Sequence, residues 1–246
     1  MVLLPIKCPH CESVDIRKFG ISSAGNQRYE CKNCKKTFQD NYTYKAYNPQ
    51  IRSDIFFQTI NGSGIRAIAR NLGIAKDTVI ATLRSFESSL WYVNHTYLEC
   101  RNNENVEIEI VSATEAEMDE MWSFVHDKSQ QYWLWWAIDH HTGEPLAFCF
   151  GTREYKYLDE LLELLVPFGI NKIYADDNLA YSSRIDEESL VTGKRNTQKI
   201  ERKHLSLRTW CSRLVRKGIR FSKKHDMHRI VVALVINFWF FDRLLV

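Results

Sequence analysis

The spacing of apolar residues along the chain changes near residue 115, and the two parts predict different structures. Between residues 65 and 86, apolar positions have the spacing of amphipathic helices, at 65, 68, 69 and 72 and again at 79, 80 and 83. Asn48-Pro49 supplies an N-cap and a proline at the first helical position. We therefore expect three helices, over residues 49–60, 65–72 and 76–86, separated by turns at Asn61–Gly64 and Gly73.

From Glu115 the apolar pattern shortens to a period of two, which is typical of strands. Glu115–Val125 alternates between apolar and polar residues, so it predicts a strand with one face in a core. The segments that follow predict two apolar strands, an amphipathic helix and a short strand, over Tyr132–Asp139, Glu144–Gly151, Tyr155–Leu165 and Ile170–Ala175. Three antiparallel strands, a helix and a further strand indicate a mixed sheet of RNase H-like type.

Two more helices are expected towards the C-terminal end. Thr197–Arg208 is basic, whereas Ile230–Phe241 is nearly apolar and is expected to pack on the sheet. Its twelve residues are fewer than the roughly 20 that a membrane span needs. Residues 1–7 lack the basic flank and apolar core of a secretory signal. We therefore expect an intracellular protein with no membrane partner.

The composition is that of a globular protein, with 45% hydrophobic and 26% charged residues among 246. The net charge of +3 conceals two basic blocks around an acidic middle. Residues 1–90 contain 13 Lys and Arg against 7 Asp and Glu, and residues 193–230 contain 13 against 2. Such blocks are often only solvated surfaces, but together they indicate a polyanionic partner.

Four of the seven cysteines have the spacing of a structural zinc site. Cys8 and Cys11 form one Cys-x2-Cys pair, and Cys31 and Cys34 form a second one after a gap of 19 residues. Strand-like residues lie between the pairs, at 16–21 and 27–30, so we expect a zinc ribbon. Its basic residues either contact DNA or only surround a fold held by metal; they are Arg28, Lys32, Lys35 and Lys36.

The second and third helices resemble a helix-turn-helix. Small Ala69 allows the two helices to cross closely, and Gly73 permits the tight turn between them. The third helix would then lie in the major groove of double-stranded DNA. The candidate DNA-binding residues are Arg66, Lys76, Asp77, Thr78 and Thr82. The alternative is a helical hairpin that serves only for packing.

Three acidic residues occur where metal chemistry would need them. Asp119 lies on the first strand of the sheet, Asp176 at the end of the fourth, and Glu201 in the basic helix. Together they can bind a pair of magnesium ions that act on a phosphodiester. Any one of these acids alone is more often a turn or capping residue.

Several stretches of the chain together resemble the insertion-sequence-one family of DDE transposases. They are Cys8–Cys11, Gly25–Phe38, Arg66–Ala69, Asp119–Val125, Ala175-Asp176, Tyr181, Thr197–Arg202, Leu207-Arg208 and Phe221–Lys224. The resemblance covers nearly the whole length. It implies that Asp119, Asp176 and Glu201 are catalytic and bind magnesium or manganese. One departure is Asp177-Asn178, where the family often has a glycine and an aromatic residue, so Asp177 is an alternative ligand.

The resemblance also implies partners and a location. The protein would bind the terminal inverted repeats of its element, cut there and join the ends to target DNA, as a homo-oligomer in the prokaryotic cytoplasm, associated with the nucleoid. The residues expected to hold the phosphate backbone at the active site are Lys194, Arg195, Lys199, Arg202, Lys203 and Arg208. Many members join two reading frames by frameshifting, whereas this chain is continuous.

These observations predict a multidomain α/β protein. We expect a zinc ribbon at residues 1–44, an all-α helix-turn-helix domain at 45–90, a linker at 91–114 and an RNase H-like catalytic domain with a mixed sheet at 115–246. Two alternatives to a transposase remain. One is a DNA-binding regulator with an inactive transposase fold, and the other is a structure-selective nuclease.

Overall fold

The computed structural model describes residues 5–39, 44–97, 114–215 and 217–246, except for the side chain of Lys194. The chain divides into two compact units. The first comprises residues 1–57 and 65–82 with Val246, and the second comprises residues 58–64 and 83–245.

The first unit begins with a three-stranded antiparallel sheet. Its strands, in spatial order, are β1 (Ile16–Ile21), β2 (Gln27–Cys31) and β3 (Thr37–Gln39). The buried residues of this region are Cys8, Cys31 and Phe38. The first two strands were predicted; β3 was not, because three residues with one buried side chain show no readable alternation. So small a core cannot stabilise a fold without a metal or a crosslink.

Three helices follow the sheet, and their bounds agree with the predicted ones to within one residue. They are α1 (Gln50–Ile60), α2 (Ile65–Leu72) and α3 (Lys76–Ser85). Ala69 is buried, as expected for a residue at a close helix crossing. Gly73 has a φ of 64°, a left-handed conformation that glycine adopts without strain, and Ile74 N donates to Ala69 O at 3.0 Å. Helices α2 and α3 therefore form the predicted helix-turn-helix.

The second unit is built on a five-stranded mixed sheet, as predicted. Its strands are β4 (Glu115–Phe124), β5 (Gln131–Asp139), β6 (Pro145–Gly151), β7 (Lys172–Ala175) and β8 (Leu190–Thr192), in the spatial order β6-β5-β4-β7-β8. Strands β4, β5 and β6 are antiparallel, whereas β7 and β8 run parallel to β4. Strand β8 was not predicted, since its three residues are at most half-buried.

Helices cover both faces of this sheet. On one face lie α4 (Tyr155–Leu165) and α5 (Leu179–Ser182), whose buried residues share a core with Trp135 of β5. The next residue, Trp136, faces the other side and contacts α6 (Gln198–Trp210) through His204. On that side α7 (His225–Trp239) is buried along most of its length, as expected for the apolar C-terminal helix, although it begins five residues earlier than predicted. None of the described helices has the length and apolar character to cross a membrane.

Residues 91–97, the first part of the predicted linker, pack against the sheet. Val93 forms a backbone bridge with Ala147 of β6, and the buried Asn94 donates from Nδ2 to Pro145 O at 2.9 Å. This part of the segment therefore extends the edge of the sheet rather than linking two domains loosely. Residues 98–113 lie outside the described residues.

The C-terminal ends of α1 and α3 belong to the second unit. Trp239 donates from Nε1 to Ile60 O at 3.1 Å, and Arg84 forms an ion pair with Asp226 at 2.7 Å. The division between the two units therefore passes through the predicted helix-turn-helix domain. The four domain boundaries given above stay a prediction.

Candidate active site and metal centres

The parallel pairing of β4 with β7 brings the first two predicted acids side by side. Glu117 pairs with Tyr174 in this ladder. The same register two residues further along places Asp119 of β4 beside Asp176, which directly follows β7. The parallel pairing of β4 with β7, which ends two residues before the aspartates, therefore directs both of them to the same edge of the sheet.

Asp119 lies in a partly buried and electronegative environment. Its side chain is 21% exposed, Oδ1 accepts a hydrogen bond from Glu120 N at 2.8 Å, and Oδ2 lies 3.5 Å from His204 Nδ1. Burial is the largest cause that raises the pKa of Asp119 to about 7. The negative charge of Glu120 is the second cause, and those of Asp176 and Glu201 contribute as well. The three predicted acids are thus close enough to repel one another.

The loop after β7 distinguishes Asp176 from its neighbour Asp177. Asp176 is half-buried, and its Oδ1 accepts a hydrogen bond from Asn178 N at 3.1 Å. The Asn178 side chain caps α5 by accepting from Ala180 N at 3.2 Å. Asp177 is exposed, and its charge is not among the main causes of the raised pKa of Asp119. These observations favour Asp176 over Asp177 as the second acid.

Glu201 approaches from the first turn of α6 and is exposed. The preceding residue, Ile200, donates its backbone N–H to Oε2 of the buried Glu117 at 3.1 Å. A carboxylate at this position satisfies a free N–H group and faces the positive end of the helix dipole. His140 Nδ1 lies 3.0 Å from the other oxygen of Glu117. A side chain of β4 therefore holds the helix that carries Glu201.

Glu120 is a residue of this site that the sequence analysis did not single out. Its side chain is only 4% exposed and faces the side of the sheet opposite to Asp119. Tyr181 donates to it at 2.9 Å, Asn178 Nδ2 at 2.9 Å and Arg153 at 3.2 Å. Glu120 therefore ties β4 to the loop that contains Asp176. The sequence did contain a signal for Glu120, because Glu120 and Tyr181 both lie in the stretches that carry the family resemblance.

The three acids have the ligand chemistry of a magnesium or manganese site. Both ions prefer carboxylate oxygens, and a bound cation would offset the repulsion that acts on Asp119. Within the described residues, the four cysteines alone form a group of three or more metal-binding side chains whose ligand atoms all lie within 4.8 Å of one another. The ligand atoms of Asp119, Asp176 and Glu201 therefore do not all lie within 4.8 Å of one another in this structure.

The four predicted zinc ligands do converge. The sulfur atoms of Cys8 and Cys34 are 3.6 Å apart, and those of Cys11 and Cys31 are 3.5 Å apart. Tetrahedral zinc with bonds of about 2.3 Å requires sulfur separations of roughly 3.8 Å, so the cluster fits a structural zinc ion. The backbone N–H of Cys34 is the largest cause that lowers the pKa of Cys31 to about 6, which favours the thiolate that zinc binds.

The predicted DNA-binding residues of the helix-turn-helix differ in exposure. Arg66, Lys76 and Asp77 are exposed, whereas Thr78 and Thr82 are half-buried. The Thr78 hydroxyl lies 2.8 Å from the hydroxyl of Tyr44, within the same unit. The Thr78 hydroxyl therefore already has a hydrogen-bond partner within the protein. Because the two residues are 34 positions apart, no local sequence pattern predicts this contact.

The basic residues around α6 also differ in what they contact. Arg195 and Arg202 are exposed, and Arg208 is half-buried. Lys199 donates from Nζ to His140 O and, at 3.2 Å, to His141 O, so its ammonium group holds the turn between β5 and β6. Lys203 Nζ lies 5.5 Å from the centre of the Phe240 ring. The side chain of Lys194 is not among those described.

Comparison with known families covers the chain in three consecutive parts. Residues 111–242, which contain all three acids, match the family described as IS1 transposase. The chain belongs to the IS1 transposase family. Residues 1–35 match the InsA N-terminal domain, a zinc ribbon, and residues 42–87 match the InsA C-terminal domain, a helix-turn-helix.

Curated relatives of this transposase are InsB proteins of insertion elements. The iso-IS1n InsB of Shigella dysenteriae is 44% identical over 121 residues, which is 49% of this chain and 92% of the relative. The IS1 InsB of Shigella sonnei is 40% identical over 50% of this chain and 93% of its own length. The IS1 9 InsB of Escherichia coli (strain K12) is 40% identical over 50% of this chain and 73% of its own.

A solved structure of the simian T-cell lymphotropic virus intasome with the PP2A regulatory subunit B56 gamma contains a chain that aligns with 74% of this one and 64% of itself. Its TM-score is 0.39 at 14% identity, which is too weak to carry an argument. The family matches confirm the predicted family, the zinc ribbon and the helix-turn-helix, and the structure confirms the multidomain α/β layout with a mixed sheet. They also show that one continuous chain contains parts similar to InsA and to the IS1 transposase.

Proposed function

We propose that this transposase binds the terminal inverted repeats of its own insertion sequence and catalyses DNA strand cleavage and strand transfer at Asp119, Asp176 and Glu201. The observation that carries the proposal is the convergence of three acids from β4, the loop after β7 and α6, where Asp176 and Glu201 are close enough to contribute to the raised pKa of Asp119. We further propose that two or more copies assemble on DNA, because an element has two ends that must be cut and joined together.

The three carboxylates would hold magnesium or manganese, which supplies activation of the attacking oxygen and stabilisation of the leaving oxygen. The protein's own contribution is position and charge. Arg195 and Arg202 are exposed, Arg202 directly follows Glu201 in the chain, and a guanidinium group can bind a phosphate bidentately. Lys199 contributes less in this arrangement, since its ammonium group already binds two carbonyl oxygens. These contacts would position either a terminal repeat or target DNA without reading its sequence.

The catalytic proposal is tested by removing one charge at a time. Asp119→Asn, Asp176→Asn and Glu201→Gln should each lower strand cleavage by about 10³-fold or more, because each removes a ligand from the same metal site. Cleavage and joining of a labelled duplex with a terminal repeat are measured with magnesium or manganese, and binding of the duplex is measured separately. Binding should survive in all three variants.

Asp177→Asn is the matched control, since it makes the same replacement of a carboxylate by an amide at the neighbouring exposed aspartate. It should cleave within a few-fold of the wild type. If Asp177→Asn is inactive and Asp176→Asn is not, the second ligand is misassigned. Cleavage without joining would instead indicate a structure-selective nuclease, and binding without cleavage in the wild type would indicate a regulator.

We also propose that α3 reads the terminal repeat in the major groove, with Lys76, Asp77 and Thr82 near the base edges. Thr82→Ala should weaken binding to the repeat more than binding to random DNA, by up to about 1–3 kcal/mol. Arg202→Ala should weaken both by the same factor, because phosphate contacts carry no sequence information. Competition binding at fixed salt measures both ratios. An equal loss for repeat and random DNA in Thr82→Ala argues against this docking.

A further inference from the structure

Two contacts outside the trio of acids join β4 to α6. Glu117 accepts the backbone N–H of Ile200 at 3.1 Å, and His204 Nδ1 lies 3.5 Å from Asp119 Oδ2. The two residues on β4 are two positions apart, which is about 6.6 Å along a strand, and those on α6 are four apart, which is about 6 Å along a helix. The spacings match, so both contacts can be made only if α6 runs along β4 in this one register.

A hydrogen bond from the sheet determines which ring nitrogen of His204 accepts. The ring is 6% exposed, and the Trp136 indole donates from Nε1 to His204 Nε2 at 2.8 Å, with the two ring planes 11° apart. Because an indole nitrogen only donates, Nε2 must be the acceptor. A neutral imidazole then has its proton on Nδ1, the atom that faces Asp119. His204 therefore presents an N–H group to one oxygen of this carboxylate.

Each oxygen of Asp119 consequently meets an N–H group from a different element. Oδ1 binds the backbone N–H of Glu120 on β4, and Oδ2 faces His204 on α6. Glu201 lies between the two contacts on the same helix, one residue after Ile200 and three before His204. A shift of α6 by one residue would rotate Glu201 by about 100° away from Asp119 and would break both contacts at once.

We propose that Glu117 and His204 are positioning residues that fix the register of α6 on β4, and so hold Glu201 and the Asp119 carboxylate in the arrangement that a divalent metal needs. The inference rests on the proposed function in one respect, namely that Asp119 and Glu201 are metal ligands. Neither positioning residue touches DNA or metal in this scheme. They act through the helix and through the orientation of one carboxylate.

The test is direct binding of Mn²⁺ to the full-length, zinc-loaded protein, followed by the electron paramagnetic resonance of free Mn²⁺. The decisive pair is His204→Gln and His204→Asn. The amide nitrogen of asparagine can occupy the place of Nδ1 and donate to Asp119, whereas glutamine reaches only the place of Nε2. The dissociation constant for Mn²⁺ should rise about 10–100-fold in His204→Gln, the range for residues that orient metal ligands, and clearly less in His204→Asn.

Glu117→Gln provides a second variant if substitutions at the buried His204 impair folding, which thermal unfolding will show. It removes the charge at the start of α6 and should weaken Mn²⁺ binding by about tenfold. Glu115→Gln is its control, because Glu115 lies on the same face of β4 but accepts its hydrogen bond from Tyr174 of β7. It should bind Mn²⁺ like the wild type.

The outcomes separate the two proposals. If Asp119→Asn binds Mn²⁺ as tightly as the wild type, the proposed metal site itself is wrong. If Asp119→Asn loses binding while folded His204→Gln and Glu117→Gln retain wild-type affinity, only the positioning role is wrong. Equal losses in His204→Gln and His204→Asn would mean that packing of the ring matters and its N–H group does not, which also overturns the role given to His204.

Discussion

The cysteine cluster and the carboxylate cluster of this transposase are built in opposite ways. The four thiol groups lie in a region whose buried core comprises Cys8, Cys31 and Phe38. The acids lie on and beside a five-stranded sheet that is covered by helices on both faces, with Trp135 and Trp136 fully buried on either side. In the first case two of the four ligands form most of the core, whereas in the second case a large core supports an aspartate whose charge its acidic neighbours repel.

This difference shows what each metal would contribute to the molecule. Zinc at the cysteines supplies the stability that three buried side chains cannot, so folding and metal binding there are one process. The sheet does not depend on a metal, because its apolar core can stabilise an arrangement in which Asp119 is held at a raised pKa. A shifted pKa of this kind is typical of active sites, where a stable fold can hold a charged group in an unfavourable environment that catalysis requires.

The largest change in stability is therefore expected on substituting one of the four clustered cysteines. Cys31→Ser removes one buried ligand and should unfold residues 5–39, since structural zinc contributes about 10–16 kcal/mol in small zinc domains. All seven tryptophans lie between residues 91 and 239, so tryptophan fluorescence reports the second unit alone. The fluorescence-detected unfolding of this variant should match that of the wild type, while the bound zinc, measured by elemental analysis, should be lost.

Cys149 provides a control for the assignment of the four clustered cysteines as zinc ligands. This cysteine is buried in the sheet, its thiol donates to Tyr157 O at 3.2 Å, and it is not one of the four clustered cysteines. Cys149→Ala should leave the zinc content unchanged and lower the stability of the second unit instead. Freshly purified, reduced wild-type protein with no zinc would contradict the ribbon, as would a Cys31→Ser protein that keeps its full zinc content.

Local patterns were sufficient to predict most elements and the nature of the site. Helices α2 and α3 and strand β4 follow from apolar periodicity, whereas β5 and β6 follow from apolar runs, since β6 is buried at every position. The short strands β3 and β8 were missed, since three residues do not show a period. The cysteine ligands could be predicted because their spacing is local.

The arrangement around the acids could be predicted only in part. Asp119, Asp176 and Glu201 were named from strand ends and from the family resemblance, but what holds them depends on contacts across 61 to 85 residues. Examples are Glu120 with Tyr181, Glu117 with Ile200, and His204 with Asp119. No periodicity encodes such contacts, because they arise from the register of β4 against β7 and α6.

A smaller change in stability is expected at the carboxylates. Substitution there should stabilise the protein, whereas substitution of a cysteine ligand should destabilise it. Asp119→Asn should stabilise the second unit in metal-free buffer at pH 7.5, by on the order of 1–4 kcal/mol, since it replaces a buried charge that three other acids repel. The measurement is urea unfolding followed by tryptophan fluorescence, with zinc kept on the cysteines by avoiding chelators. Added magnesium should stabilise the wild type and not the variant, because only the wild type retains the full site.

The raised pKa of Asp119 also predicts how the stability of the wild type changes with pH. The pKa of Asp119 is about 7 in the folded protein and has an ordinary value of 3.8, so between these values the folded state binds the proton more tightly. The stability of the wild type should therefore decline as the pH rises from about 4 to 7, relative to Asp119→Asn, and the two curves should run parallel above that range. Asp177→Asn, which alters an exposed neighbour, should follow the wild type within about 0.5 kcal/mol throughout. An Asp119→Asn protein that is less stable than the wild type at pH 7.5 would show that this carboxylate supports the fold, and the contrast between the two clusters would then be lost.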